Sequence, residues 1–467
     1  MSETQPFDPV TGAHLKEWGH RPGPQYPELL AKANALRAEG FGLVRIRADL
    51  EPLKPEIPPE ILPHDAGAVA FSENIDAETE DEAANVKAVK DSMALLMRTP
   101  TLTAGAIMPD ACPAGPPGTI PVGGVVAAQN AIHPGMHSAD ICCSVMISDL
   151  GHADPKRVLD AAQAVTHFGP GGRQDARFAL PADVDAQFHA NAMLDNPKSH
   201  RMAETHLGTQ GDGNHFLFVG RSRKTGRTAM VTHHGSRGPG AVLYKRGMAI
   251  AEAFRAERAP QILKQNAWIP ADSADGRAYW DALQIIRDWT KTNHTMIHDA
   301  AAAEAGASVS DRFWNEHNFV FRRGDLYYHG KGATPAWPGF AEDAGALTLI
   351  PLNMAEPVLV VRGSDARHGL GFSPHGAGRN FSRSEHKRRK SGLTAEAILQ
   401  AETEGLDIRF FAGKIDVSEL PSGYKNADAV VRQIGRYGLA EIEDYIDPYG
   451  CIMAGDIIPF WAKKKKR

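Results

Sequence analysis

The pattern of apolar and polar positions changes character near residue 104. Before that point apolar residues recur at helical intervals in two places, which predicts helices over Pro27 to Gly40 and Asn85 to Arg98. Between them, Gly42 to Ile46 reads as a short strand. Residues 51–65 are proline-rich and read as extended, and Glu73 to Glu82 is acidic and reads as a solvated turn or a helix start. From Ala104 onward short β-like runs alternate with glycine-rich turns, and helical spacing interrupts them at Pro155 to His167, Ala241 to Arg255, Tyr279 to Ala302 and Thr394 to Glu404. Strands and helices that mix without strict alternation predict an α+β fold rather than a doubly wound parallel sheet. There is no internal repeat.

Composition, charge and cysteine usage narrow this picture. The 467 residues are 42% apolar and 23% charged, ordinary for a globular chain and enough for one large domain or two smaller ones. The formal charge of −5 gives no overall pull toward nucleic acid, so a nucleic-acid site would have to be a local basic patch. No run of eighteen apolar residues is present, and MSETQPFDPV lacks the basic start and apolar centre of a secretory signal, so the expectation is a protein with no membrane span, in the cytoplasm. The four cysteines include the adjacent pair Cys142 and Cys143, a poor pattern for disulfides and a better one for ligands or free thiols. The terminal KKKKR reads as a solubilising end rather than a nucleic-acid contact.

Five segments carry candidate chemistry. In HSADICCSVMIS, residues 137–148, Asp140 and Cys143 are three apart, and a carboxylate and a thiolate at that offset can reach one metal, or two metals sharing the sulfur. A buried free cysteine beside a turn aspartate gives the same pattern. HLGTQGDGNHFLFVG delivers Asn214 and His215 from a glycine-rich turn into a strand. In VTHHGSRGPG two histidines end a strand, and Arg237 sits in the turn before the helix at Ala241, where backbone amides and the guanidinium suit phosphate or carboxylate. In EHNFVFRRGDLYYHGKGATPAWPG, His317 and His329 flank a hairpin turning at Arg323-Gly324-Asp325, and Lys331 lies between glycines. In GFSPHGAGRNFSR, His375 sits on a tight turn with Arg379 and Arg383 following, and SEHKRRK downstream adds local positive charge. Neither GxxxxGK[ST] nor a strand-linked GxGxxG occurs, so a bound nucleotide would be held some other way. From the residues alone, the reading is metal-assisted chemistry on a phosphate-containing substrate.

In this order, IMPDACPAG, IPVGGVVA, ADICCSV, GDGNHFL, HHGSRGPG, HNFVF, HGKGATPAWPG and HGAGRNFSR resemble the RtcB family of 3′-phosphate RNA ligases, over about Gly105 to Gly455; LKEWG at residues 15–19 also resembles that family's N-terminal segment. The resemblance implies one large domain of mixed sheets flanked by helices. It divides the chain into a lead-in with an inserted acidic and helical segment, residues 1–104, a catalytic core, 105–455, and a basic tail, 456–467. It implies RNA repair or tRNA splicing by joining 3′-phosphate or 2′,3′-cyclic phosphate ends to 5′-hydroxyl ends, with GTP and two Mn²⁺ ions and with an archease-like activator as a partner. His375 would be the nucleophile that becomes nucleotidylated. Cys143 would bridge the two ions, Asp140 and His215 would complete one site, and His233 and His317 the other. Asn214, Phe216, Gly376, Ala377 and Gly378 would hold the nucleotide, and Arg237, Lys331 and Arg379 would contact phosphate. His/Cys ligands by themselves would have suggested Zn²⁺.

The departures from the family cluster on one side. The glutamate that ends the family's NHFLE, and reads guanine, is Phe218 here. The GSMGTAS loop is LNMAEPV, residues 352–358, and the C-terminal lysine position is Ala454. Cys112 stands at a usual histidine, Ser144 at a usual glycine and His234 at a usual serine. A site that has lost its hydrogen-bonding partners for a base loses most of its discrimination, so the expectation is a relaxed or altered NTP preference. Two alternatives to ligation follow: a nucleotidyltransferase that activates or caps a 3′-phosphate without joining ends, and a non-catalytic RNA-binding homologue.

Overall fold

A computed structural model describes residues 8–20, 22–54, 58–175 and 177–457, arranged as two compact units, 1–60 and 61–467. The basic stretch Ala462 to Arg467 lies outside the described residues. The smaller unit packs helices Gly12–Glu17, Tyr26–Ala38 and Leu43–Leu50 around Leu15, Leu29, Ala33, Ile46 and Leu50. The strand expected at Gly42 to Ile46 is therefore a helix. Its first five residues look β-like, but Leu43, Ile46 and Leu50 share one helical face, a period visible only when the window runs on to Leu50.

The larger unit is α+β, built on two sheets. One runs, in spatial order, Phe71–Glu73, Leu102–Cys112, Val122–Gln129, Leu326–Lys331 and Asn318–Arg323. The other runs Asp311–Glu316, Ser144–Asp149, Thr228–His234, Phe216–Ser222, Ala440–Met453, Val358–Gly363 and Leu347–Pro351, with Asp407–Phe410 parallel to the end of the long Ala440–Met453 strand. Its strands Ser144–Asp149 and Thr228–His234 are buried on both faces, so apolar residues follow one another in them rather than alternating strictly. Helix Ala274–Ala305 buries Tyr279, Leu283, Ile286 and Trp289 in the largest core cluster, and its C-terminal half packs against Pro155–Val165. Gly306, in the left-handed region at φ +63°, ends it.

The acidic and helical segment that precedes residue 104 contributes, from residue 61, to this unit's core. Helix Glu80–Leu96 starts at Thr79, whose side chain accepts from the Glu82 amide. It buries Val86, Val89, Met93 and Leu96 against the Leu102–Cys112 strand. No helix of the described residues is long and apolar enough to cross a membrane. All four cysteines are free.

Candidate active site

The candidate ligands come from points where strands of the second sheet end or hand over to the first. Cys143 immediately precedes Ser144–Asp149, His215 precedes Phe216–Ser222, and His233 lies at the end of Thr228–His234. Register places His233 opposite both Val145 and Phe216, so the three positions come from neighbouring strands. His317 sits between Asp311–Glu316 of one sheet and Asn318–Arg323 of the other, and its amide donates to the Cys143 carbonyl at 2.9 Å. The turn that carries Asp140 and Cys143 holds two non-glycine residues at positive φ, Ser138 at +76° and Cys142 at +56°. Such backbone costs about 1–3 kcal/mol per residue and persists only where the surroundings enforce it. Here the Cys142 amide is tied to the Asn318 carbonyl at 2.8 Å.

The side chains converge as two triads that share one sulfur: Asp140, Cys143 and His215, and Cys143, His233 and His317. Cys143 Sγ lies 3.5 Å from His215 Nε2 and 3.2 Å from His233 Nε2. His215 Nε2 is 3.0 Å from Asp140 Oδ2, and His233 Nε2 is 3.2 Å from His317 Nε2. The far side of two rings fixes their tautomers. His215 Nδ1 donates to the Gln210 carbonyl at 2.6 Å, and His233 Nδ1 to the Asn214 carbonyl at 3.1 Å. In the neutral form each ring has its one N–H at Nδ1 and turns an Nε2 lone pair toward the cluster, whereas a protonated His215 donates from Nε2 to Asp140. There the Nε2 atoms meet a carboxylate and a sulfur.

That arrangement fits divalent cations. Imidazole, thiolate and carboxylate are transition-metal donors, and histidines braced at Nδ1 by backbone carbonyls are the usual outer support of such ligands. The electrostatics agree. Burial disfavours a charge on Asp140, but His215 and Arg237 outweigh it and hold the carboxyl well below its ordinary range. Burial, then His215 and His375, pull His233 down to about 3, and His317 is pushed the same way by burial, His375 and His233, so both rings stay neutral and available as ligands. Burial and the Asp140 carboxylate push the Cys143 thiol well up; a bound cation reverses that balance, because metal ligation deprotonates a thiol.

His375 follows the short Phe372–Pro374 strand, with its ring centroid 4.8 Å from that of His317. Its Nδ1 donates to Asp110 Oδ2 at 2.6 Å, and its amide donates to the same oxygen at 3.3 Å. Asp110, on the Leu102–Cys112 strand, is fully buried. The bond leaves His375 Nε2 with its lone pair free. Two glycines make this possible. A Cβ on Gly378, at φ +71°, would lie 1.9 Å from the Asp110 carbonyl oxygen, and one on Gly332 would lie 2.8 Å from His375 Cε1.

A cleft of about 640 Å³ opens beside these groups. Asp140, His233 and His375 line it, as do Asn214, Phe216, Gly376, Ala377, Gly378 and Arg379. Phe218, Met354, Val358, Cys451 and Met453 add an apolar wall, and Phe218 and Val358 are among the positions that depart from the family.

Several expected positions lie elsewhere. Lys331 does not line the cleft: its ammonium donates to the Ile120 carbonyl at 3.0 Å, and burial lowers it to about 8. Arg237 is also set back, donating to the Gly169 carbonyl and Thr209 Oγ1 behind Asp140. Arg379 reaches the cleft, yet its guanidinium donates to the Ser418 carbonyl at 2.6 Å and pairs with Glu419 at 3.5 Å. His329 belongs to no triad; its Nε2 accepts from the His133 amide. The cations of SEHKRRK are paired with Asp416, Asp456, Glu385, Asp81 and Glu402 rather than left free for phosphate. Sequence reasoning gave no role to Asp110, although a carboxylate inside an otherwise apolar strand is a signal in itself. It also passed over Asn85, which reaches the cleft from helix Glu80–Leu96 and donates to the Arg379 and Asn380 carbonyls.

A family model described as "tRNA-splicing ligase RtcB" matches residues 156–454. That match contains His215, His233, His317 and His375; Asp110, Asp140 and Cys143 precede it. The chain is 28% identical over 284 residues to a protein named "tRNA-splicing ligase RtcB" from Pyrococcus abyssi, covering 52% of this chain and 31% of that protein. It is 28% identical over 293 residues to a protein of the same name from Archaeoglobus fulgidus, covering 54% and 60% respectively. Against "RNA-splicing ligase RtcB" of Mycobacterium tuberculosis it is 26% identical over 281 residues, covering 53% and 64%. The chain thus spans less than two thirds of each of these relatives.

Proposed function

The chain belongs to the RtcB family, and on that premise we propose that it is a metal- and NTP-dependent RNA ligase that joins a 3′-phosphate end to a 5′-hydroxyl end through a nucleotidylated His375. The observation that carries this reading is the pair of triads sharing Cys143, set beside an imidazole whose Nδ1 is held by Asp110 and whose Nε2 is free. Residues 105–455 would form the catalytic core, and the residues beyond it an appended tail.

His375 Nε2 attacks the α-phosphorus of the NTP; a P–N bond forms, the α–β P–O bond breaks and pyrophosphate leaves. As Nε2 gains its bond, the ring becomes cationic, and Asp110 holds the Nδ1 proton and stabilises that charge. An oxygen of the RNA 3′-phosphate then takes the nucleotidyl group, breaking the P–N bond and restoring neutral His375. The 5′-hydroxyl attacks the activated 3′-phosphorus and releases NMP. Two divalent cations held by Asp140, Cys143, His215, His233 and His317 would supply phosphate charge neutralisation and in-line orientation, with Mn²⁺ the ion the family uses. Asn214 and the turn Gly376, Ala377, Gly378 would seat the triphosphate, since they line the same cleft. An archease-like activator remains part of this proposal.

The apolar wall of the cleft supports a relaxed base preference. Phe218, Met354, Val358 and Met453 offer a base area but no hydrogen-bonding edge. Ligation of a 3′-phosphate, 5′-hydroxyl RNA pair with Mn²⁺ and each of GTP, ATP and CTP tests both points. The expected kcat/KM values agree within about tenfold, the range left when a site lacks polar readers. Selectivity for GTP of about 10⁴-fold, as in a site built on base hydrogen bonds, would contradict it.

One observation favours a second reading. The cations expected to meet RNA phosphate mostly have partners within the chain, Lys331 and Arg379 on buried carbonyls and Lys387 and Arg389 in surface ion pairs. That suits a nucleotidyltransferase which activates a 3′-phosphate without joining it. In the same assay, a nucleotide-capped 3′ end with no ligated product would select this reading over ligation.

A further inference from the structure

A second group of metal-type donors lies outside the cleft, on the hairpin of helices Ala182–Ala190 and Pro197–Thr205. Val184 and Phe188 bury the inner face of the first helix, which turns Asp185 and His189, one helical turn apart, outward together. Asn196, whose side chain accepts from the Ser199 amide, starts the second helix and fixes the position of His200. The two imidazoles stack with centroids 4.0 Å apart.

The hydrogen bonds determine which nitrogens are free. Asp195, in the turn between the helices, accepts from His189 Nδ1 at 3.1 Å and from His200 Nε2 at 3.0 Å, both at Oδ1. Each neutral ring has then used its one proton. His189 Nε2 and His200 Nδ1 therefore carry lone pairs, and both face the Asp185 carboxylate at 3.9 and 3.6 Å, beyond hydrogen-bond distance. His200 Nδ1 is buried without a hydrogen-bond partner. One ligand atom from each of Asp185, His189 and His200 lies within 4.8 Å of the others. An aspartate that braces the far nitrogen of each ring is the outer support that metal-bound histidines have.

We propose that Asp185, His189 and His200 form a zinc site, separate from the cleft, with Asp195 orienting the two rings. Two imidazoles and one carboxylate are a zinc donor set, and the outward face leaves the fourth position to water. The bound ion cross-links the two helices. Because the site shares no residue with the cleft, its test is independent of the ligase reading.

The test is equilibrium dialysis of the full chain against Zn²⁺, with bound metal counted by atomic emission. His189→Ala is suitable because that side chain is 61% exposed and the change leaves the core intact. The expected result is one zinc ion fewer per chain than wild type, and the same loss in His200→Ala, with nucleotidylation of His375 retained in His189→Ala. Asp195→Asn should keep the site but weaken it about 10- to 100-fold, the scale of losing an outer carboxylate. Equal zinc content in wild type and both histidine variants overturns the proposal.

Discussion

His375→Ala is expected to lower RNA ligation by about 10⁴-fold or more, the scale on which covalent catalysis fails when its nucleophile is deleted. The ring offers Nε2 to the cleft and spends Nδ1 on Asp110. Alanine removes the only atom at that position able to form the P–N bond, so no rearrangement of the remaining groups restores the route. RNA affinity should stay near wild type, because the substitution removes no cation and the Gly376 to Arg379 turn remains. A filter-binding measurement beside the ligation assay separates the two effects. Equal losses of binding and ligation would mean that His375 acts in the fold or in RNA recognition rather than in bond formation. A non-catalytic RNA-binding protein would show no loss at all.

The second large effect is expected from Cys143→Ala. Cys143 is the one donor common to both triads, so its removal weakens both cation positions rather than one. Bound Mn²⁺ should fall from two equivalents toward none, and nucleotidylation should fall by on the order of 10²–10³-fold or more, as when a group that stabilises transition-state charge is lost. His215→Ala should retain more metal, since it strips only the triad that contains Asp140. Metal content by atomic emission, read against far-ultraviolet circular dichroism as a check on folding, distinguishes these outcomes. Equal Mn²⁺ content in Cys143→Ala and wild type would rule out a shared sulfur ligand.

How much of this was legible in the sequence follows from the range of the interactions involved. The α+β class was readable, because helices such as Ala274–Ala305 and Pro155–Val165 carry their period locally. The candidate ligands stood out as residue types, because His and Asp at glycine-rich strand ends are conspicuous against an apolar background. Their geometry was not: His375 and Asp110 are 265 residues apart, and no local pattern reports such a pairing. Nor does a local pattern show what Lys331 and the SEHKRRK cations pair with inside the chain. A sequence displays a charge but not the carbonyl of Ile120 or the carboxylates of Asp416 and Glu402 that engage it. The strand expected at Gly42 to Ile46 failed for the opposite reason, a window too short to contain one helical repeat. In the segment before residue 104 the acidic stretch Glu73 to Glu82 draws the eye, but the buried face formed by Val86, Val89 and Met93 is what packs it against the sheet.

The central claim is that the cleft places a free imidazole nitrogen beside a two-cation donor set. Its most direct measurement is peptide mass spectrometry after incubating the protein with a labelled NTP and Mn²⁺, without RNA. The account predicts one nucleoside monophosphate per chain, acid-labile as a phosphoramidate is, on the peptide that contains His375, and none after Mn²⁺ is chelated beforehand. A label on any other residue, or an unmodified His375 with Mn²⁺ bound and every NTP supplied, would contradict it.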